Sequence, residues 1–173
     1  LGARAVEVGG TLYVATGPEP AQLDGWRYVP AAIDIIDLQT MELVKSVPVP
    51  GHSLKAICWD GDRYVYVATQ TVGLFRLDTV TGELDETFRV EIGGMNDLVI
   101  DPVRQIVVLS CSGVHETLAF VSIPKQREIA RFHAGKGFMG VVRDDDGRIA
   151  RIVVPSINAS HLIDLRMDAI KLD

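Results

Sequence analysis

The sequence predicts an all-β fold in which one four-stranded repeat occurs four times. Three observations support this prediction. Short runs rich in Val, Ile, Tyr, Phe and Thr are separated by Gly, Asp, Pro and Asn, a pattern typical of strands and turns. Two sequence markers recur at a similar period along the chain. No segment of the sequence keeps the periodicity of an amphipathic helix.

The first marker is the apolar residue that follows a turn before the last strand of each repeat. This residue is Leu43, Leu84, Ile129 and Ile170 in the four repeats. Successive markers are about 41–45 residues apart. The second marker is a small hydroxyl residue that ends an earlier strand, at Thr16, Thr69, Ser110 and Ser156. Its spacing is similar except in the first repeat, where roughly twelve extra residues indicate an insertion.

The strands within a repeat are clearest in the second one. They read "LKAICW", "RYVYVAT", "VGLFRLD" and "LDETFRV". The first hairpins of repeats two to four carry "WDGDR", "DPVRQ" and "DDDGR", where Asp with Gly or Pro favours a turn. The segments "DLQTMEL" and "DTVTGEL" have the same role before the last strand.

Four-stranded repeats of about 40–45 residues are typical of β-propeller blades. Blades pack face to face, which explains why "AICW", "IVVLS" and "RIVVP" are apolar throughout. We therefore predict four antiparallel blades, near 3–50, 51–92, 93–134 and 135–173, in one partial propeller domain over 1–173. A β-sandwich is the alternative, since its strands need no fixed period.

We expect these blades to belong to a larger ring of six to eight blades. The outward faces of the first and last repeats look as apolar as the inner ones, and an open half-ring would leave both in water. Remaining blades or a second copy of the chain would then be partners. The chain starts with Leu1, so we expect a processed start or an excerpt of a longer chain.

Composition limits the other partners. The chain has 173 residues, of which 47% are hydrophobic, and a net charge of −6. It has no basic block and no apolar run near the ~20 residues of a membrane helix, so we expect neither nucleic acid nor membrane as a partner. Cys58 and Cys111 lie in apolar runs and are expected to be buried free thiols.

The stretch "PGHSLKAICWDGDRYVYVATQTVGLFRLDTVTGEL" resembles the YVTN-repeat and WD-repeat β-propeller superfamily. The resemblance rests on "GH" at 51–52, the "DGDRYVYVAT" hairpin and the "DTVTGEL" turn. The third strands end in "RLD", "IDL" or "VSI" rather than Trp-Asp, so a YVTN-like or quinoprotein-like propeller is expected. The resemblance implies an exported or periplasmic location. Such folds host lyases, lactonases, dehydrogenase subunits and scaffolds.

Functional groups of a propeller usually collect where the loops between second and third strands meet the starts of the innermost strands. The innermost strands are expected to start with Lys55, Asn96 and Met139. The insertion supplies Asp24, Trp26, Arg27 and Tyr28, and the other loops supply Glu19, Gln70, His115, Glu116, Asn158 and His161. Trp, Arg and Tyr are enriched at binding hot spots. Alternatively, Trp26 and Tyr28 cover the core under a structural flap.

A metal site is a weaker prediction. "GGMNDLVID" at 93–101 resembles the segment of calcium-dependent six-bladed lactonases in which an axial Asn binds the metal, which would make Asn96 a ligand. The equivalent residues Lys55 and Met139 do not suit Ca²⁺, which takes 6–8 oxygen ligands. We therefore expect no cofactor, and we expect Asn96 and Asp97 to bond the loop backbone.

The sequence favours a binding or scaffold module that presents its loop face and axial channel to a protein or a small-molecule ligand. The alternative is part of a propeller enzyme, either a lactonase- or lyase-like hydrolase or a quinoprotein-type dehydrogenase subunit. In that case His115, Glu116 and His161 would be the candidates for acid–base chemistry.

Overall fold

A computed structural model describes residues 4–17, 31–111, 117–134, 138–155 and 162–172. These residues form antiparallel strands and one short 3-10 helix, which confirms the predicted all-β fold of propeller blades. The chain divides into two units, residues 1–93 and 94–173, and each unit contains two sheets. Within the described ranges, no helix is long and apolar enough to cross a membrane.

Unit 1 contains two four-stranded sheets with the strands in chain order. Blade 1 is formed by β1 to β4, at Ala5–Val8, Thr11–Thr16, Ala31–Asp37 and Leu43–Val49. Blade 2 is formed by β5 to β8, at Leu54–Trp59, Tyr64–Thr69, Leu74–Asp78 and Glu83–Val90. Each sheet lies within one of the predicted blade ranges.

The core of unit 1 lies between its two blades. Because side chains alternate across a strand, each blade has two faces. Within a unit, we call front the face of the first blade and rear the face of the second blade that pack on each other, and each blade's other face takes the opposite name. The front face of blade 1 contributes Tyr13, Ala15, Ile33, Ile35 and Val47 to this core. The rear face of blade 2 contributes Ile57, Val65, Val67, Phe75 and Leu77.

Unit 2 has a four-stranded and a three-stranded sheet. Blade 3 is formed by β9 to β12, at Met95–Asp101, Ile106–Cys111, Thr117–Ser122 and Arg127–His133. Blade 4 is formed by β13 to β15, at Gly140–Arg143, Ile149–Pro155 and Leu162–Arg166. The prediction that all four blades belong to one propeller domain within a larger ring stays a prediction.

Blade 4 differs from the sequence-based prediction of four strands. The segment "DAIKLD", predicted to finish the last strand, instead begins within a 3-10 helix at Met167–Ala169. The side chain of Met167 is buried and belongs to the core of unit 2, and Ile170 and Leu172 pack against that core. Among the described residues, this stretch therefore packs Met167, Ile170 and Leu172 on the core without joining the ladder of β15.

The core of unit 2 repeats the arrangement of unit 1. The front face of blade 3 contributes Ile106, Val108, Leu118 and Phe120, and the rear face of blade 4 contributes Ile149, Ile152 and Val154. Phe120 also meets Phe132 edge to face, with ring centroids 5.5 Å apart. Every residue of β10 and β11 is buried, which agrees with the continuous apolar runs in the sequence.

The aspartates of the first hairpins stabilise turns, as the sequence predicts. One carboxylate oxygen of Asp60 accepts the main-chain N–H groups of Asp62, Arg63 and Tyr64. Asp144 accepts those of Asp146 and Arg148 in the same way. Such short-range bonds are the reason why Asp favours turns.

Asp101 holds its own hairpin and also joins blade 3 to blade 4. Its Oδ1 accepts the N–H groups of Val103 and Arg104. Its Oδ2 accepts the N–H of Ile149 at 2.9 Å and the guanidinium of Arg104 at 2.7 Å. Arg104 in turn donates to the carbonyl oxygen of Ile149 at 3.0 Å. The pair therefore satisfies both main-chain groups of Ile149.

The outward faces of the terminal blades are less apolar than the sequence suggested. On blade 4, Arg151 pairs with Asp164 and Arg166 pairs with Asp168. On blade 1, Asp34 lies across from Val14 in the ladder. The expectation of equal apolarity is therefore wrong for blade 4, because β14 and β15 place Arg151, Asp164 and Arg166 on the outward face.

Both cysteines are free thiols, as expected. Cys111 is buried and Cys58 is partly buried. Burial raises the pKa of the Cys111 thiol, with the nearby Arg131 opposing this shift. A raised pKa keeps the group neutral at pH 7, which suits its apolar position.

Candidate functional site

Most of the predicted loop residues lie outside the described residues. This applies to Asp24, Trp26, Arg27, Tyr28, His115, Glu116 and His161, and also to Glu19 and Asn158. The predicted placement of the 17–31 insertion beside Lys55 and His115 therefore stays a prediction. Lys55, Gln70, Asn96 and Met139 are described.

Lys55 and Asn96 occupy equivalent positions. Each is the second residue of the first strand of its blade, in β5 and β9 respectively, and each is partly buried. Met139 directly precedes β13, the first strand of blade 4. The structure thus confirms that these residues stand where the first strands begin, as the repeat predicts.

Asp97, next to Asn96, uses its carboxylate to hold backbone. Its Oδ2 accepts the N–H of Met139 at 2.7 Å, and its Oδ1 accepts the N–H of Leu98 at 2.9 Å. The residue is only 8% exposed. Burial raises the pKa of Asp97, and the two N–H donors lower it only in part. The ionised form therefore costs stability at neutral pH, and this cost disappears as the pH falls through the raised pKa.

Among the described residues, no observation supports a calcium ion at Asn96. The residue beside it, Asp97, binds main-chain N–H groups, as predicted for a structural role. The equivalent positions carry the ammonium of Lys55 and the thioether of Met139, which are poor ligands for Ca²⁺. Among the described residues, no three His, Cys, Asp or Glu side chains are placed to hold a metal. The expectation that the chain binds no cofactor stays a prediction.

Of the four loops between second and third strands, the loop at 70–73 lies within the described residues. Thr69, fully buried, organises it: the hydroxyl accepts the N–H groups of Val72 and Gly73 and donates to the Gly73 carbonyl. A Cβ on Gly73 would lie 2.3 Å from the carbonyl oxygen of Val90. Glycine therefore lets this loop lie directly against the end of β8.

Further bonds hold the same loop against the segment that opens blade 2. The N–H of Gln70 donates to the carbonyl oxygens of His52 and Ser53. The N–H of His52 donates to the hydroxyl of Thr71. The Gly-His pair at 51–52, noted in the sequence, is thus tied to the loop through its backbone. The loop is consequently a well-supported part of blade 2.

An open depression of about 410 Å³ lies beside this loop. It is lined by the loop, by the end of β8 and by the residues after β8, namely Thr71, Val72, Arg89, Glu91, Ile92 and Gly93. Arg89 and Glu91 form an ion pair of 3.1 Å, with half of the Arg89 side chain and 79% of the Glu91 side chain exposed. The depression thus combines an apolar wall with two charges of opposite sign that water can reach.

Arg89 is held from one side by an aromatic ring. Its guanidinium carbon lies 5.9 Å from the centroid of the Phe75 ring. Contacts of this kind favour a cation over an aromatic face. Because the side chain remains half exposed, its charge stays available to an incoming group.

The sequence prediction missed Arg89 and Glu91. The prediction considered only the loops between second and third strands. Arg89 and Glu91 lie instead at the end of the fourth strand and just after it. The useful signal is the hairpin of the third and fourth strands. In this antiparallel pair Leu74 lies opposite Val90, so the end of β8 lies beside the loop at 70–73 that precedes β7.

No family model and no curated protein matches this sequence. Solved structures do match it. Hydrazine synthase of Kuenenia stuttgartiensis is 19% identical with a TM-score of 0.65, over 84% of this chain and 40% of that chain. A chain in the crystal structure of a mitotic checkpoint complex is 12% identical with a TM-score of 0.67, over 92% and 47%.

A third match is the computationally designed protein Ika8. It is 12% identical with a TM-score of 0.65, over 94% of this chain and 45% of that chain. The chain thus spans less than half the length of each of these three structures. At such low identities the similarity shows the fold alone. Since these neighbours are propellers, the four sheets described above are β-propeller blades.

Proposed function

We propose that this chain is a propeller binding module and that the depression beside the loop at 70–73 is part of its binding surface. The observation that carries the proposal is the exposed Arg89–Glu91 pair at the edge of an apolar depression. Small-molecule sites usually enclose most of their ligand. An open depression suits a segment of polypeptide better.

The lining residues define the kind of segment that would fit. Arg89 would pair with a carboxylate, Glu91 would pair with a basic side chain, and Val72 would contact a small apolar residue between them. Charge pairs at a rim give specificity and speed association more than they add affinity. One structural neighbour comes from a mitotic checkpoint complex, and an assembly of this kind agrees with a protein partner.

The test uses peptides, because the natural partner is unidentified. Twelve-residue peptides selected from a random display library on the immobilised chain are measured by fluorescence anisotropy. We expect the best peptides to bind Arg89→Glu at least about tenfold more weakly than the wild type. Arg127→Glu, an exposed arginine at the start of β12, is the control and should stay within about twofold. Equal binding to the wild type and to Arg89→Glu would contradict the proposal.

The loop residues predicted from sequence provide a second arm of the same test. We propose that Trp26, with Asp24, Arg27 and Tyr28, belongs to the same binding surface. Trp26→Ala should then weaken the selected peptides by ~2 kcal/mol or more and leave the melting temperature nearly unchanged. A large drop in melting temperature with unchanged peptide binding would instead assign Trp26 to a structural flap.

A further inference from the structure

The strand register of blade 2 shows which way the main-chain groups beside the depression point. The N–H of Thr69 donates to the carbonyl oxygen of Gly73 at 3.0 Å. In an antiparallel ladder, the main-chain groups of successive residues point alternately to the two sides of a strand. The groups of Gly73 therefore point towards β6, and those of Leu74 point towards β8.

The same alternation continues across the β7–β8 ladder. Leu74 lies opposite Val90, so the main-chain groups of Val90 point towards β7. A Cβ on Gly73 would lie 2.3 Å from the carbonyl oxygen of Val90, which agrees with this direction. The N–H and carbonyl groups of Arg89 and Glu91 then point to the outer side of β8, where the described residues form no further ladder.

The side chains of this segment alternate as in a regular strand. Phe88, Val90 and Ile92 are buried, whereas Arg89 and Glu91 are exposed. Side chains two residues apart lie on one face of a strand, and the ion pair of 3.1 Å between Arg89 and Glu91 agrees with that. The two charges therefore stand side by side along an edge that also offers main-chain hydrogen bonds.

The regular part of this edge is short. Leu77 pairs with Leu84 and Phe75 pairs with Arg89, and the register shifts between these two pairs. A bulge of this kind disrupts the ladder and bends the strand. A strand added to β8 would therefore pair with the segment after the bulge, next to the depression.

We propose, on the basis of the proposed binding function, that the ligand is an extended polypeptide segment that pairs antiparallel with the outer edge of β8 at Arg89. In this mode of recognition main-chain hydrogen bonds give affinity and alternate side chains give specificity. Antiparallel pairs are slightly more stable and more frequent than parallel ones.

The register sets the order of charges in the segment. A residue directly opposite Arg89 has its Cβ about 4.5–5.5 Å from the Cβ of Arg89 and on the same face, so that Asp or Glu there reaches the guanidinium. In an antiparallel partner the residue opposite Glu91 comes two positions earlier, and Lys or Arg there reaches the carboxylate. The segment therefore reads basic, any residue, acidic from its N-terminus. Because the Arg89–Glu91 pair is exposed, exchanging its partners costs little.

A scan of N-methylated peptides tests the strand pairing. The probe is the best twelve-residue peptide of the display selection, measured by fluorescence anisotropy on the wild-type chain. N-methylation removes a main-chain donor and blocks a ladder on that side. Methylating the acidic residue, or the basic residue two positions before it, should weaken binding at least about tenfold, because both N–H groups face β8. Methylating the residue between them is the control and should change binding less than about twofold, because its N–H faces away.

Exchanging the charges tests the direction of the segment. A peptide with its acidic and basic residues exchanged should bind the wild type at least about tenfold more weakly than the original peptide. The double variant Arg89→Glu with Glu91→Arg should prefer the exchanged peptide, whereas Arg127→Glu should keep the wild-type preference. Circular dichroism and thermal melting check that the variants are folded. If the double variant does not fold, the methylation scan on the wild type still decides.

The outcomes distinguish this inference from the proposed function. Peptides that bind the wild type and Arg89→Glu equally would contradict the proposed function and this inference with it. If binding depends on Arg89 but all methylated positions weaken it equally, the binding function stands and the strand pairing is overturned. A wild-type preference for the order acidic, any residue, basic would overturn the antiparallel direction in the same way.

Alternating effects of methylation, together with a preference for the basic residue first, would support the inference.

Discussion

Met41, Gly82 and Gln126 occupy the same position in the turns that precede β4, β8 and β12. All three have a left-handed backbone, with φ of 59°, 66° and 49°. Only glycine adopts this conformation without strain, and other residues pay ~1–2 kcal/mol. The turns of blades 1 and 3 therefore have backbone strain, whereas the turn of blade 2, with glycine at this position, does not.

Replacing Met41 by glycine should stabilise the protein. Met41 is 71% exposed, so little packing is lost, while the backbone strain is relieved. The greater freedom of glycine in the unfolded chain offsets part of this gain, and we expect a net increase of about 0.5–1 kcal/mol in the free energy of unfolding. Urea unfolding of the wild type and Met41→Gly measures it. The reciprocal variant Gly82→Met should lose stability, and a less stable Met41→Gly would show that the turn is not strained.

Sequence reasoning identified these turns but not the strain in them. The "DLQTMEL" and "DTVTGEL" segments predict equivalent turns because each starts with Asp, and the carboxylate of Asp37 does accept the N–H groups of Gln39 and Thr40. Of these three turns, only the one in blade 2 has glycine at the left-handed position. A turn held by its first side chain, Asp37 in blade 1 and Ser122 in blade 3, has Met or Gln there, so composition alone gives no signal.

At the level of whole strands, Asp101 differs from its equivalents Asp60 and Asp144. All three hold the first hairpin of a blade, but Asp101 also binds Ile149 of the neighbouring blade and the guanidinium of Arg104. Burial raises the pKa of Asp101, but the N–H groups of Arg104 and Ile149 and the Arg104 charge outweigh it, and the pKa is lowered overall. The carboxylate is therefore a stabilising link between β9 and β14.

Asp101→Asn should destabilise the protein more than Asp144→Asn does. The variant keeps the size of the side chain but loses charge-assisted bonds to a fully buried group, so we expect a loss of about 1.5–3 kcal/mol. Asp144 is exposed and makes only turn bonds in the described residues, so Asp144→Asn should cost about 1 kcal/mol or less. Urea unfolding at pH 7 compares them, and equal losses would show that the link to Ile149 contributes nothing.

The stability difference between the wild type and Asp101→Asn should depend on pH, in the direction that the lowered pKa of Asp101 sets. Because the folded pKa of Asp101 lies below the unfolded value of about 3.9, its contribution is complete above that value. This stabilising contribution is lost as the pH falls from the unfolded pKa through the folded pKa. The difference between the wild type and Asp101→Asn should therefore be constant from pH 7 to about 5 and shrink below about 4. A difference that grows in acid would contradict the assigned direction.

Strands were the most predictable elements, and contacts between elements the least. The runs "IVVLS" and "YVYVAT" predict β10 and β6 because β-branched and aromatic residues favour strands. The link from Asp101 to Ile149 has no such signal, since the turn pattern that Asp101 shares with Asp60 and Asp144 does not indicate which residue of another strand the carboxylate reaches. The charge pair at Arg89 and Glu91 was missed for a different reason: the prediction considered the loops between second and third strands and not the end of the fourth strand, which the β7–β8 hairpin places beside one of them.

Across the whole molecule, burial is unevenly distributed over the strands. In β10 and β11 every residue is buried, and both strands have hydrogen-bonded neighbours on each side. In β13 and β15, by contrast, each residue is exposed or partly exposed. Each of these two strands has one hydrogen-bonded neighbour, β14, within the described residues. Local opening should therefore be much easier in blade 4 than in the middle of blade 3.

Hydrogen exchange followed by mass spectrometry tests this order. We expect peptides covering Ile106–Cys111 and Thr117–Ser122 to exchange at least about tenfold more slowly than those covering Gly140–Arg143 and Leu162–Arg166, because opening the former requires breaking two ladders and exposing both faces. Equal exchange in all four segments would mean that blades 3 and 4 open as one cooperative body, and the uneven burial of their strands would then have no energetic consequence.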